Sequence, residues 1–231
     1  MHPRIPAAAS PLTLGLLTGT PRPAVVLAAF PTALYLGLPG HASVLPVVTR
    51  DALVLPTAVR LPTPGPRDWG VAVGDVVNVG GYVVSLPSHG IRVVRSWRPR
   101  QVTAAPLRPD CYDWSPLLDE VGLGEGLTPR SDDVLCGALL AARALGVAPP
   151  TELPLTRTTS LSASLLAAAA KGYAVSAVID HVTAVAAGCP DLARTRAQVL
   201  SIGHTSGEAL LEGVDRIHDF VNSPLPEGIP S

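Results

Sequence analysis

The chain has 231 residues, 47% hydrophobic and only 4% aromatic, enough to bury a sizeable core built mainly from Ala, Val and Leu. Its 17 basic and 18 acidic residues leave a formal charge of −1 without blocks of one sign, which excludes the electrostatic footprint of a nucleic-acid binder or a polybasic membrane anchor. Cys111, Cys136 and Cys189 form no Cys-x-x-Cys pair, so neither a disulfide framework nor a zinc site is expected, and a reducing cytoplasm is the expected location.

Residues 1–33 define no clear element. Prolines interrupt the apolar residues of "MHPRIPAAASPLTLGLLTGTPRP", so no signal peptide is expected. The apolar stretches "AVVLAAFPTALYLGL" and "SLSASLLAAAAKGYAVSAVI" are broken by Pro31 and by Lys171-Gly172, and neither offers the ~20 uninterrupted residues of a membrane span. Residues 34–105 are Val-rich and punctuated by Gly, Pro, Asn and Asp, as in "SVLPVVT", "DALVLPT", "WGVAVGDVVNVGG" and "YVVSLPSHGIRVVRSW". This pattern predicts a small, mostly antiparallel β domain, with Pro46, Pro56 and Pro87 at strand edges or ends. The segment "RPRQVTAAPLRPDCYDWSP" is the expected hinge.

From residue 110 to 221 the pattern becomes Ala- and Leu-rich runs separated by Gly or Pro, predicting helices near 115–120, 132–146, 160–171, 174–187, 191–200 and 207–221. Gly146, Gly172 and Gly188 stand where helix C-termini favour a left-handed residue. Residues 222–231 are expected to form a flexible tail. The fold class that follows is α+β: an N-terminal small, mostly antiparallel β domain and a C-terminal α-helical bundle.

Three helix starts carry unusual chemistry. In "VGLGEGLTPRSDD", Gly122, Gly124 and Gly126 allow the backbone to approach a ligand, Thr128 can cap, and Pro129 suits the first helical position. A dinucleotide fingerprint would need a preceding strand, and a phosphate loop would need Gly-Lys-Ser/Thr; both are missing. Asp132 and Asp133 complement a helix dipole, although capping alone does not require three glycines. In "TRTTSLSASLL", Arg157 precedes the hydroxyls of Thr158, Thr159 and Ser160, a group suited either to capping or to holding a phosphate or carboxylate. In "SIGHTSGEALL", Thr205 and Glu208 fit a capping box. His204, Ser206 and Gly207 add polarity beyond that need, and His204 is a candidate proton shuttle. A nucleophile elbow would need Ser where Thr205 stands.

Together, "GLGEGLTPRSDDVLCGALL", "TTSLSASLLAAAAKG" and "IGHTSGEALLEGV" resemble three signature segments of the AllH-type oxamate carbamoyltransferase subunits, formerly a domain-of-unknown-function family. "GHASVLPVVTRDALVLPT" and "VRSWRP" add a weaker resemblance. Where the family pattern is Gly-Pro-Gly-Leu-Thr-Pro-Ser-Gly-Asp-Asp, this chain has Glu125 for the proline and Arg130-Ser131 for Ser-Gly. The resemblance implies a subunit, dependent on other carbamoyltransferase subunits, that moves a carbamoyl group between oxalurate and phosphate in allantoin breakdown, giving oxamate and carbamoyl phosphate. For such small anions the residues themselves make His204, Asp132 and Asp133 the expected catalytic groups, with Arg157 or Arg130 supplying positive charge. The ligand would be bound by Gly122, Gly124, Gly126, Thr128, Arg157, Thr158, Thr159, Ser160, Thr205, Ser206 and Gly207. Asp132 and Asp133 would hold a Mg²⁺ that screens a phosphate or accept hydrogen bonds from the carbamoyl or amide nitrogen. A single small-anion pocket requires the three helix starts to lie within about 15 Å of one another. The competing expectation is a non-catalytic module that binds a small anion or metabolite.

Overall fold

The computed structural model describes residues 4–203 and 205–223. Among these, eight strands close into a barrel: β1 (Arg4–Ala9), β2 (Arg22–Phe30), β3 (Ala33–Gly37), β4 (Val44–Val48), β5 (Val59–Arg60), β6 (Val76–Gly80), β7 (Val83–Ser85) and β8 (Gly90–Ser96). Their order around the barrel is β1-β5-β4-β3-β2-β6-β7-β8. Neighbours run antiparallel except for β1 with β8 and β4 with β5. A single helical turn, α1 (Leu14–Leu17), follows β1.

Strand periodicity decides what fills the barrel. In β2, Ala24 and Val26 face the interior, whereas Val25 between them is 42% exposed. Small residues such as Ala7, Ala9 and Ala24 lie beside Leu34, Leu36, Leu45 and Ile91, so an eight-stranded barrel is filled by side chains and leaves no channel. Pro46 pairs with Tyr35 of β3 at a point where β5 has not yet joined the other side of β4, so its missing N–H breaks no ladder bond.

This architecture corrects the expected small β domain over 34–105 followed by a separate bundle. The sheet is a closed barrel, and its first two strands come from residues 1–33. The reason is physical: β1 reads "RIPAAA", a poor strand former, and is held as a strand by pairing with β8 on one side and β5 on the other. Conversely, most of "DALVLPT" is a loop, and β5 begins only at Val59.

The helical half consists of α2 (Ser115–Asp119), α3 (Arg130–Leu145), α4 (Ser160–Ala170), α5 (Ser176–Ala186), α6 (Ala193–Leu200) and α7 (Ser206–Asn222). Gly146 caps α3 in the left-handed region at φ 76°, and Gly172 and Gly188, after α4 and α5, also have positive φ. Helix α3 is buried all round over Val134–Ala142. Its backbone meets that of α7 directly: a Cβ on Gly137 would lie 2.0 Å from the Leu210 carbonyl oxygen, and one on Gly213 would lie 1.9 Å from that of Val134. Fully buried Leu135, Leu140, Leu166 and Ile179 each contribute roughly 1.5–3 kcal/mol through removal from water.

The helical core extends onto the outer face of the barrel through Ala33, Val48, Leu55 and Ala58. The expected hinge is a tied strap. Trp97 donates its indole N–H to the Ala58 carbonyl at 2.9 Å, and Trp114 donates to that of Ala148 at 2.9 Å. Between them, the amides of Val102, Ala105 and Arg108 donate to the carbonyls of Gly172, Arg143 and Gly146. Among the described residues no helix is long and apolar enough to cross a membrane.

Candidate functional site

The two aspartates at the start of α3 are adjacent, so about 100° of helix rotation separates them and they meet different surroundings. Asp132 is fully buried and fully engaged. Its Oδ1 accepts the Gly122 N–H at 2.8 Å, while Oδ2 accepts the hydroxyls of Ser162, at 2.6 Å, and Thr158. This carboxylate therefore stitches the glycine loop and the start of α4 to α3. Ser131 serves the same joint, its hydroxyl donating to the Leu123 carbonyl at 2.7 Å.

The glycines of the loop have positive φ, and two of them are required by close internal approach. A Cβ on Gly122 would lie 2.1 Å from the Arg157 carbonyl oxygen, and one on Gly124 would lie 2.7 Å from the Arg130 nitrogen. Gly126, at φ 87°, faces open space. Pro129 is the N-cap of α3, with no side-chain cap, and Thr128 turns to a cavity wall. Glu125 is exposed.

At the start of α4, Thr159 accepts the Ser162 N–H at 3.1 Å and donates its hydroxyl to the Leu127 carbonyl at 2.5 Å. Ser160 is half-buried. Arg157 donates to the carbonyls of Leu118, at 3.2 Å, and Asp119, at 2.5 Å, closing the end of α2. Arg130 pairs with Glu212 at 2.5 Å. Both arginines thus hold the scaffold.

At the start of α7, Thr205 makes no side-chain cap bond, so the expected capping box with Glu208 does not form. Gly207 permits α7 to abut α6, since a Cβ there would lie 2.3 Å from the Val199 carbonyl oxygen. His204 lies outside the described residues.

Asp133 points elsewhere than Asp132, into a cavity of about 260 Å³ between the barrel and the helices. Thr128, Leu161 and Ser206 bring the starts of α3, α4 and α7 to this one cavity. Phe30, Tyr35 and Leu55 contribute from the barrel side, and Cys136 and Tyr173 from the helices. The three helix starts converge, as a single pocket requires. Most of the lining is apolar, and no Arg or Lys among the described residues belongs to it.

That environment sets the protonation. Burial drives the Asp133 carboxyl from its ordinary 3.8 to about 7, the Ser206 hydroxyl beside it on the cavity wall pulls the other way, and the nearby negative charge of Asp132 adds to the rise. Burial likewise raises the Tyr35 phenol and pushes the Cys136 thiol well up. Asp133 is therefore divided between acid and carboxylate near neutrality and can donate or accept a proton. The pair does not suit a shared Mg²⁺, because hydrogen-bond donors occupy both Asp132 oxygens and Asp133 faces another way. No cluster of three or more His, Cys, Asp or Glu gathers among the described residues.

The barrel contribution to this cavity is what sequence reasoning missed. Tyr35 and Phe30 carry no motif, and the packing of the barrel against α4 brings them to the cavity beside Asp133.

No solved structure matches the chain. Residues 120–216, which hold the glycine loop and all three helix starts, match the model of the family described as oxamate carbamoyltransferase subunit AllH, and over that segment the resemblance is established.

Proposed function

We propose that the chain acts as a subunit of an oxamate carbamoyltransferase-type enzyme, and that the cavity at the three helix starts receives the amide-bearing substrate. The family description supports the subunit reading. The observation that carries the site is Asp133: a carboxyl near its midpoint at neutral pH, in an apolar cavity that it lines together with Ser206 where α3 and α7 begin.

In transfer from oxalurate, a phosphate oxygen attacks the carbamoyl carbon, the carbon–nitrogen bond breaks, and oxamate leaves once its nitrogen is protonated. Protonated Asp133 delivers that proton, and in the reverse direction its carboxylate removes it. Asp132 takes no part in the chemistry; it fixes the glycine loop against α4 so that Thr128, Asp133 and Ser206 keep their places. The positive charge that phosphate requires comes from a partner subunit, since Arg130 and Arg157 are engaged elsewhere.

Calorimetric titration of the full chain with oxamate, oxalurate, carbamoyl phosphate and phosphate tests this reading. Oxamate or oxalurate should bind, and Asp133→Asn should weaken that binding at least tenfold, the effect expected for loss of a charge-assisted hydrogen bond of about 1.4 kcal/mol or more. Undiminished binding in the variant would remove Asp133 from the site.

A further inference from the structure

We infer that a second site, on the outer face of the barrel, takes a small anion carrying two or more phosphate groups. Ala8 of β1 stands in register with Arg60 of β5 on one side and Arg95 of β8 on the other. Its neighbours Ala7 and Ala9 face the barrel interior, so the row Arg60, Ala8, Arg95 faces outward. Two inter-strand steps separate the arginine backbones by roughly 10 Å.

The register between β1 and β8 jumps from Ala7–Val93 to Ala8–Arg95, leaving Val94 as an extra residue. Such a bulge re-aims the side chains around it, and here it sets Arg95 opposite Ala8. The small Ala8 leaves a groove of about 750 Å³ between the two arginines, and Arg50 joins its wall. Trp97 forms one side, fixed by its N–H to the Ala58 carbonyl, with the Arg60 guanidinium 5.1 Å from its ring centre.

Among the described residues no carboxylate lines this groove. Arg50, Arg60 and Arg95 make no side-chain hydrogen bond or ion pair with any described residue. Asp51, beside Arg50 in the chain, is occupied by the Thr49 hydroxyl and the Gly65 N–H. The Asp51 carboxylate partly offsets the Arg50 charge, whereas Arg60 and Arg95 face each other across Ala8, and an anion with several acceptor oxygens relieves their repulsion through forked hydrogen bonds. The arginine spacing favours two linked phosphates over one. The groove shares no lining residue with the cavity beside Asp133.

Inorganic pyrophosphate is the probe, titrated calorimetrically into the full chain with orthophosphate as comparison. Saturable one-to-one binding is expected, tighter for pyrophosphate, weakened at least tenfold in Arg60→Ala and in Arg95→Ala. A melting curve checks each variant, and Arg95→Glu, at an exposed bulge position, reverses the charge without opening the core. Absence of pyrophosphate binding, equal affinity in the folded arginine variants, or binding of a hexaglutamate peptide in place of pyrophosphate would each overturn the assignment.

Discussion

Replacing Asp133 by Asn should stabilise the protein, and increasingly so as the pH rises. The folded protein holds the Asp133 proton up to about pH 7, whereas the unfolded chain releases it near 3.8. Between those values the unfolded state ionises first and gains free energy, so wild-type stability is fully present below pH 3.8 and is lost as pH rises through about 7. At about 1.36 kcal/mol per pH unit the loss reaches roughly 4 kcal/mol at pH 8, of which roughly 2–3 kcal/mol accrues above pH 5. Asparagine is neutral throughout and close to aspartate in size. Urea unfolding of both proteins at pH 5, 6, 7 and 8 measures the difference, which should widen in favour of the variant by about 2–3 kcal/mol across that range. A difference that does not change with pH, or a variant less stable at pH 8, would refute the buried, high-pKa assignment.

The neighbouring acid should behave oppositely. Asp132→Ala leaves the Gly122 N–H and the hydroxyls of Thr158 and Ser162 without their acceptor, and should cost about 3 kcal/mol or more in denaturant titration at pH 7. In the loop, Gly122→Ala drives a methyl group into the Arg157 carbonyl and should cost about 3 kcal/mol, whereas Gly126→Ala meets open space and carries only the left-handed backbone penalty of about 1 kcal/mol. Iodoacetamide at pH 8 should modify exposed Cys111 and Cys189 in the native protein and reach buried Cys136 only after unfolding, as read by intact mass.

The helical half was legible because its signals are local. Apolar periodicity and the glycines at 146, 172 and 188 placed all six helices within two residues of their observed ends. Barrel closure was not, because nothing in "RIPAAA" favours a strand until β8 and β5 supply its partners. At the site, the Asp pair and the three helix starts stood out in the chain, and the structure brings them together. Which acid faces the cavity depends on Thr158 and Ser162, distant in sequence, whose hydroxyls claim Asp132. Gly122 and Gly124 suggested ligand approach, yet their missing side chains make room for the protein's own backbone. Arg157 suggested charge for an anion, yet its guanidinium is fixed to the last carbonyls of α2.

A crystal structure of the chain grown with oxamate tests the central claim most directly. The account predicts oxamate in the cavity with its amide within hydrogen-bonding distance of Asp133, and Asp132 still bound to Gly122, Thr158 and Ser162. Oxamate held by Asp132, or found away from the three helix starts, would contradict it.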